Sequence, residues 1–533
     1  MPVPATSKPL SRRGRPPRLP SSTRSLWIAS TRYPRFPRLR GDLEVDVAII
    51  GAGITGLTAA TLLKAAGKTV AVLEAQRVAE GVTGYTTAHL TEVVDASLRT
   101  LISHFGEDGA RDALAASRAS LDRIAAFVQE RGIECGFHRL PGFYFAETED
   151  GLEDVQKEYE AAERLGMRAV LTEDVPLPFP VAAAVRFEDQ ARFHVRQYLL
   201  PLLLAIPGGG SHVFEDTRAL DVEDGSPCQV KAEGGVVTAR EVLLATHVPL
   251  NKLFLQTKLA HFRSYVLACR IDGPVPDGLF WDTADPYHYL RGQEVEDETL
   301  LVVGGEDHKT GQEEDTEARF RALLEYAAAR FPVRAVRYRW SAQVVEPVDG
   351  LPFLGRNSLS AHVYVGTGYS GTGMTFGTLA AMVTSDLILG RDNRWARLFD
   401  ATRVKPLAAA RQFVSENVDF PAHFLADRLK KAEADSLREL AVGQGKLVEV
   451  EGKKVAAYRD EDGTLHALDP VCTHMRCLVE FNDTEKSWDC PCHGSRFDTD
   501  GKVLNGPAVK DLGIIEQGGA ASHPLEPPLA PRE

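Results

Sequence analysis

The sequence predicts an α/β fold: a parallel-sheet dinucleotide-binding unit, followed by a small all-β unit. Three observations carry this expectation. Residues 45–75, VDVAIIGAGITGLTAATLLKAAGKTVAVLEA, read in order as strand, glycine turn, helix and strand. From Gly445 onward the apolar period changes to two, the strand period. Four of the seven cysteines, Cys472, Cys477, Cys490 and Cys492, crowd into 21 residues beside His474 and His493. At 533 residues the chain exceeds what one small core needs, so more than one domain is expected.

Composition narrows the function class. A hydrophobic fraction of 44% with 25% charged residues is ordinary for a folded protein, and no apolar run approaches 18 residues. The strongest, YLLPLLLAI (198–206), is broken by Pro201, so no membrane span is expected. The formal net charge of −13 conceals an asymmetry. Residues 1–40 hold Lys8 and nine arginines with no acid, which leaves −23 for the remainder. That acidic body argues against nucleic acid as a partner. The basic head is rich in Pro and Ser and reads as a disordered extension over 1–40. Its Arg12-Arg13 pair lacks a following apolar stretch, so export is not expected and a cytoplasmic location is.

In the first unit, Val45 to Ile50 is apolar apart from Asp46 and rich in β-branched residues, which suits a buried parallel strand. Gly51, Gly53 and Gly56 follow as GxGxxG where that strand ends. The first permits the tight turn, the second lets a pyrophosphate approach the backbone, and the third lets the helix pack on the sheet. The helix N-terminus offers amides and a positive dipole end to the phosphates. Lys68 to Leu73 forms the second strand, and Glu74 stands where a carboxylate binds a ribose hydroxyl pair. This is the Rossmann arrangement. Downstream, VLLATHVP (242–249) reads as a strand ending near Ala245, and EPVDGLPFLGR (346–356) as a turn. VYVGTGYSGTGMTFGTLAAMVTSDLILG (363–390) is a strand, a turn rich in glycine and a helix from about Met374. Amides around Gly368, Gly371, Gly373, Met374 and Thr375 can face the flavin edge where negative charge develops on reduction.

On these motifs, together with GVTGYTTAHLT (81–91), residues 41–400 resemble the D-amino-acid oxidase and glycine oxidase family of FAD-dependent oxidoreductases. The resemblance implies non-covalent FAD, an antiparallel substrate sheet, and Thr83, Gly84, Thr86 and Thr87 along the cofactor. It also implies hydride removal from a carbon beside an amine nitrogen, in an amine or amino-acid substrate. Substrate-side candidates are Tyr144 in LPGFYF, and Tyr289 and Arg291 in DPYHYLR, with ARFHVRQY (191–198) and RWSAQ (339–343) as further segments. An ordinary strand with surface arginines is the competing reading for each.

Residues 401–437 are mostly polar and read as a linker. The second unit, 438–516, opens with short strands turned at Glu451-Gly452 and Glu461-Asp462-Gly463, and 517–533 reads as a disordered tail. Cys472-x-His474 and Cys490-x-x-His493 each pair one thiol with one imidazole. Zinc, a disulfide staple and a redox centre are all open to such residues. The full pattern, CTHMRC (472–477) with CPCHGSRFD (490–498) and a later GPA (506–508), resembles the Rieske [2Fe-2S] domain. The resemblance implies Cys472, His474, Cys490 and His493 as cluster ligands and a Cys477–Cys492 disulfide. Two departures stand out: Arg476 replaces a usual glycine, and Phe497 replaces a tyrosine that hydrogen-bonds a cysteine sulfur, while Ser495 is kept.

A flavin ahead of a one-electron centre implies a dehydrogenase that passes electrons to an external acceptor. An electron-transfer or reductase component and a redox sensor are the alternatives. The missing tyrosine hydroxyl predicts a cluster potential below the top of the Rieske range, because hydrogen bonds to sulfur favour the reduced cluster. Redox titration followed by electron paramagnetic resonance checks this, and a midpoint near about +300 mV, the upper end of that range, contradicts it.

Overall fold

The computed structural model describes residues 17–250, 253–313, 315–404, 437 and 440–515. The expected linker, apart from 401–404 and 437, and the expected tail 517–533 lie outside them.

The glycine-turn unit grows on an eight-stranded sheet. Its parallel centre runs Val363–Thr367, Gly235–Leu244, Leu43–Ile50, Val70–Leu73 and His212–Phe214. Leu43–Ile50 pairs on both edges, Ile49 opposite Leu243 and Val72, so its last six residues but one are fully buried. This is why its last four residues, Val47–Ile50, are apolar without alternation. The helix Ile54–Ala65 packs against the helix Gly373–Ile388 over this sheet. A second, nine-stranded sheet supplies the other half, and its pairs are antiparallel except for Leu279–Asp282 beside His138–Ala146. Its longest strands, Leu259–Ile271 and Val333–Pro347, pair along nearly their whole length. The small unit holds a three-stranded sheet (Gly445–Val450, Lys453–Arg459, Leu465–Leu468) and a four-stranded one (Glu480–Asn482, Ser487–Asp489, Arg496–Asp498, Val503–Asn505). Among the described residues no helix is long and apolar enough to cross a membrane.

Residues 17–40 depart from the expected solvated extension. Ser25 caps a short helix, Leu26–Ser30, whose Leu26, Trp27 and Ile28 are buried. Trp27 Nε1 donates to the Thr86 carbonyl at 2.6 Å, and Ser25 Oγ to that of Gly84 at 2.5 Å. Tyr33 donates to the Arg196 carbonyl at 2.6 Å, and the Arg196 guanidinium lies 4.0 Å from the Tyr33 ring centre. Burying the Trp27 and Ile28 side chains is worth about 1.5–3 kcal/mol each, enough to hold a basic segment that average composition marks as free.

The small unit docks on the larger one through polar contacts. Arg263, on the long strand Leu259–Ile271, places Nη2 2.5 Å from Glu485 Oε2. Glu485 also meets Arg496 at 2.9 Å, and Arg496 meets Asp489 at 2.9 Å. All four side chains are buried or nearly so. The two arginines hold both carboxyls below their usual range against the opposing cost of burial. Thr316 donates toward Asn482 Oδ1 at 3.0 Å, and Gln343 Nε2 donates to the Gly494 carbonyl at 2.9 Å.

Breaking a buried pair by removing one partner costs about 3–5 kcal/mol, because the other charge stays desolvated. Arg263→Met is therefore expected to destabilise the docked protein by about 3 kcal/mol in urea unfolding, since Arg496 still serves Glu485. A loss below about 0.5 kcal/mol, the range of exposed pairs, would show the seam to be hydrated.

Candidate functional site

The first glycine turn is built to the limit of contact. Gly51, at φ +102°, would bring a Cβ to 2.4 Å from the Ala245 carbonyl oxygen, and Gly56 to 1.9 Å from that of Gly51. A Cβ on Gly53 would stand 2.8 Å from Thr83 Oγ1. The helix therefore starts at Gly53 with no side-chain cap and faces a cavity of about 760 Å³. Glu74 closes the turn by accepting from the amides of Ala52 and Gln76, each at 3.0 Å. Burial pushes its carboxyl up.

Of the sequence candidates, Gly51, Gly53, Glu74, Thr83, Thr86, Thr87 and Ala245 line this cavity. Gly371, Gly373 and Met374 line it from the far side, with Tyr144 and Tyr289. Gly56, Gly84, Gly368 and Thr375 do not line it and act beneath it. Gly56 and Gly84 are packing positions, where a Cβ would meet Ile49 or, at 2.6 Å, the Ala79 carbonyl oxygen. Gly368 turns at φ +74°, and Thr375 donates to the Thr91 carbonyl at 3.1 Å. Such a channel of glycine backbone, an uncapped helix start and a pinned carboxylate suits a dinucleotide.

Arg291 corrects the expectation of a substrate cation. It is fully buried, does not line the cavity, and donates to the Ala88 carbonyl at 2.6 Å and to Phe193. Its strand faces the loop following the glycine turn, so its charge is consumed by backbone. Sequence reading also missed Asp95, Asp282 and Glu346, acidic residues of the cavity wall, of which Asp282 is engaged by His288 and Tyr326, whereas Arg218 is the one Lys or Arg among its lining residues. Asp95 accepts from the Gly371 amide at 3.1 Å and from Tyr287, and burial raises its carboxyl. Ser264 and Tyr289 share a hydrogen bond of 2.8 Å beside them. Gln343, inside RWSAQ, lines the cavity and reaches the small unit. The acids had no legible signal, being single residues on separate strands and loops.

In the small unit two loops converge. Cys472 and Cys490 are buried free thiols, and the rings of His474 and His493 lie perpendicular with centres 5.1 Å apart. The Cys490 thiol and nearby amides draw the Cys472 thiol down to about 7. Burial takes His474 down to about 4, and its Nδ1 is buried without a hydrogen-bond partner. Two adjacent sulfurs and neutral imidazoles suit an iron–sulfur cluster with mixed ligands. Cys477 and Cys492 form a disulfide across the loops, with Cα atoms 6.5 Å apart. Their sulfurs lie within 4.8 Å of Cys490 Sγ, yet bonded to each other they cannot ligate. Ser495 Oγ accepts from the Ala508 amide at 3.0 Å and also hydrogen-bonds Cys472. Phe497 is buried opposite Trp488. The other cysteines, Cys135, Cys228 and Cys269, are buried and line no part of the cavity.

The cluster loop lies against the flavin-side unit. Gly494, next to His493, has φ +68°, and a Cβ there would be 2.3 Å from Gln343 Nε2 and 3.1 Å from His261 Cβ. His261 is buried, and burial beside His493 and His247 pushes its pKa far down.

Comparisons with known proteins agree with this geometry. Residues 46–387 match the FAD dependent oxidoreductase (DAO) family, and residues 431–516 match the Rieske [2Fe-2S] domain. YhfW of Bacillus subtilis (strain 168), named as a Rieske 2Fe-2S iron-sulfur protein, is 34% identical, covering 92% of this chain and 97% of its own. Gamma-glutamylputrescine oxidoreductase of Escherichia coli (strain K12) is 26% identical over 70% of this chain and 90% of its own. The crystal structure of glycine oxidase from Geobacillus kaustophilus matches the fold with a TM-score of 0.58 at 18% identity, covering 68% of this chain and 99% of that one.

Arg476, where a glycine is usual, sits at φ +63°. A non-glycine side chain there costs about 1–2 kcal/mol. Arg476→Gly is expected to stabilise the small unit by about 1 kcal/mol, after its own entropic cost, in denaturation followed at the cluster absorption. A destabilisation would show that the arginine side chain is held in place.

Proposed function

The chain belongs to the FAD-dependent oxidoreductases of amine and amino-acid oxidase type and carries a Rieske [2Fe-2S] domain, and from that footing we propose that it is a dehydrogenase. Its substrate is an amine, and electrons leave through the cluster to an external acceptor, in the cytoplasm. The observation that carries the reading is Gln343, one side chain that both lines the flavin cavity and donates to the carbonyl beside His493. Bound FAD supplies two-electron oxidation, and the loaded cluster accepts electrons singly.

The residues divide the remaining work. Gly51, Gly53, Thr83 and Glu74 would hold the dinucleotide, while Cys472, His474, Cys490 and His493 would hold the cluster. Asp95 and Glu346 give the cavity wall a negative character that favours an ammonium over a carboxylate. An amine must shed its proton before oxidation, and Asp95, with its carboxyl raised by burial, is fitted to hold that proton. Tyr144 and Tyr289 would form aromatic walls. An oxidase handing electrons directly to dioxygen needs no docked cluster.

Anaerobic mixing with a panel of amines and amino acids tests the reading, with flavin bleaching and cluster reduction followed separately. Amines are expected to bleach the flavin first and reduce the cluster afterwards. Asp95→Asn and Glu346→Gln are each expected to lower kcat/KM about tenfold, the worth of one hydrogen bond to a charged group. Undiminished turnover with dioxygen in a variant replacing Cys472 and His474 would sink the dehydrogenase reading.

A further inference from the structure

The wall of the dinucleotide cavity comes from both folded units. Leu504, Asn505, Gly506, Ala508 and Val509, all from the small unit, line the same cavity as Gly51, Gly53 and Glu74. Their segment is tied at both ends. The Val503 carbonyl accepts from Arg218 Nη2 at 2.8 Å and from Gln76 Nε2 at 3.4 Å. Those two residues belong to the surroundings of Glu74: the Gln76 amide donates to its carboxylate, and the Arg218 charge acts on it. At the other end the Ala508 amide donates to Ser495 of the cluster loop.

Glu74 marks the ribose end of a dinucleotide. The donors grasping Val503 are the ones that act on Glu74, and so stand at that end. We propose that Leu504–Val509 is part of the FAD site and closes its adenosine end, so that cofactor retention and docking of the Rieske domain are coupled. A ligand that touches both units binds the docked arrangement better than the undocked one, and shifts the population toward it. By linkage the effect is reciprocal: docking tightens FAD, and FAD tightens docking. The seam is suited to such coupling because its hydrogen bonds and ion pairs are directional and align in one docking pose. The inference holds whichever substrate is oxidised, since it concerns only the resident cofactor.

Hydrogen exchange on the full-length protein, with FAD bound, after its removal and after its return, tests this without any substitution. Amides of residues 503–506, 508 and 509 are expected to exchange faster once FAD is removed and to slow again on its return. Amides of Gly445–Val450 and Lys453–Arg459, which do not touch the cavity, are expected to stay unchanged. A second measurement follows FAD release by recovery of flavin fluorescence in Asn505→Trp. Release is expected to quicken about tenfold, within the usual range of coupling between sites, with the cluster resonance signal intact. Identical exchange at 503–509 with and without FAD overturns the proposal, whatever the variant does. So does release from a cluster-loaded Asn505→Trp at the wild-type rate.

Discussion

The pairing of Arg263 with Glu485 fixes where one redox unit sits relative to the other. Each charge alone would be costly to bury, and the pair is completed by Arg496 and Asp489 into a set with no net charge. Nonpolar packing tolerates sliding, whereas two guanidinium groups facing two carboxylates hold one register. Exposed pairs elsewhere, such as Arg99 with Asp154, have no comparable hold because water screens both partners. With the register fixed, Gln343 meets Gly494 and the arginine at 218 meets Val503. The close fit at Gly494, where a Cβ would displace the Gln343 amide, depends on the same alignment.

The cavity combines two electrostatic characters. At the glycine turn, backbone amides and a helix start present positive potential to phosphates. Around Asp95 and Glu346, carboxylates present the opposite sign. One long cavity can thus sort its occupants by charge, with an anionic cofactor at one end and a cationic group at the other. Burial of Asp95 tempers that field, because a carboxyl pushed upward carries its charge less readily.

Much of this architecture was legible in the residues. GxGxxG with Glu74 reports local geometry, and local geometry is what a short motif encodes. The strands turned at Glu451-Gly452 and Glu461–Gly463 fall where the period of two and the turn residues place them. The disulfide pairing implied by the Rieske resemblance is present. Three things were not legible, for distinct reasons. Leu26-Trp27-Ile28 is too short to show through a window dominated by arginine and proline. Arg291 looked available because a sequence does not show that backbone carbonyls surround a side chain. The seam unites Arg263, Gln343 and Glu485, whose separation along the chain leaves no periodic trace.

The Trp27 anchor has a consequence for how the protein is made. It braces the threonine loop at 83–87 from near the beginning of the chain, while the wall at 504–509 comes from near its end. Two ribs of one chamber are thus separated by almost the entire chain. During synthesis the glycine turn emerges long before the wall at 504–509 that shares its cavity. A chain cut short before residue 504 would lack the five small-unit residues of that wall, Leu504, Asn505, Gly506, Ala508 and Val509, while keeping the glycine turn and Glu74.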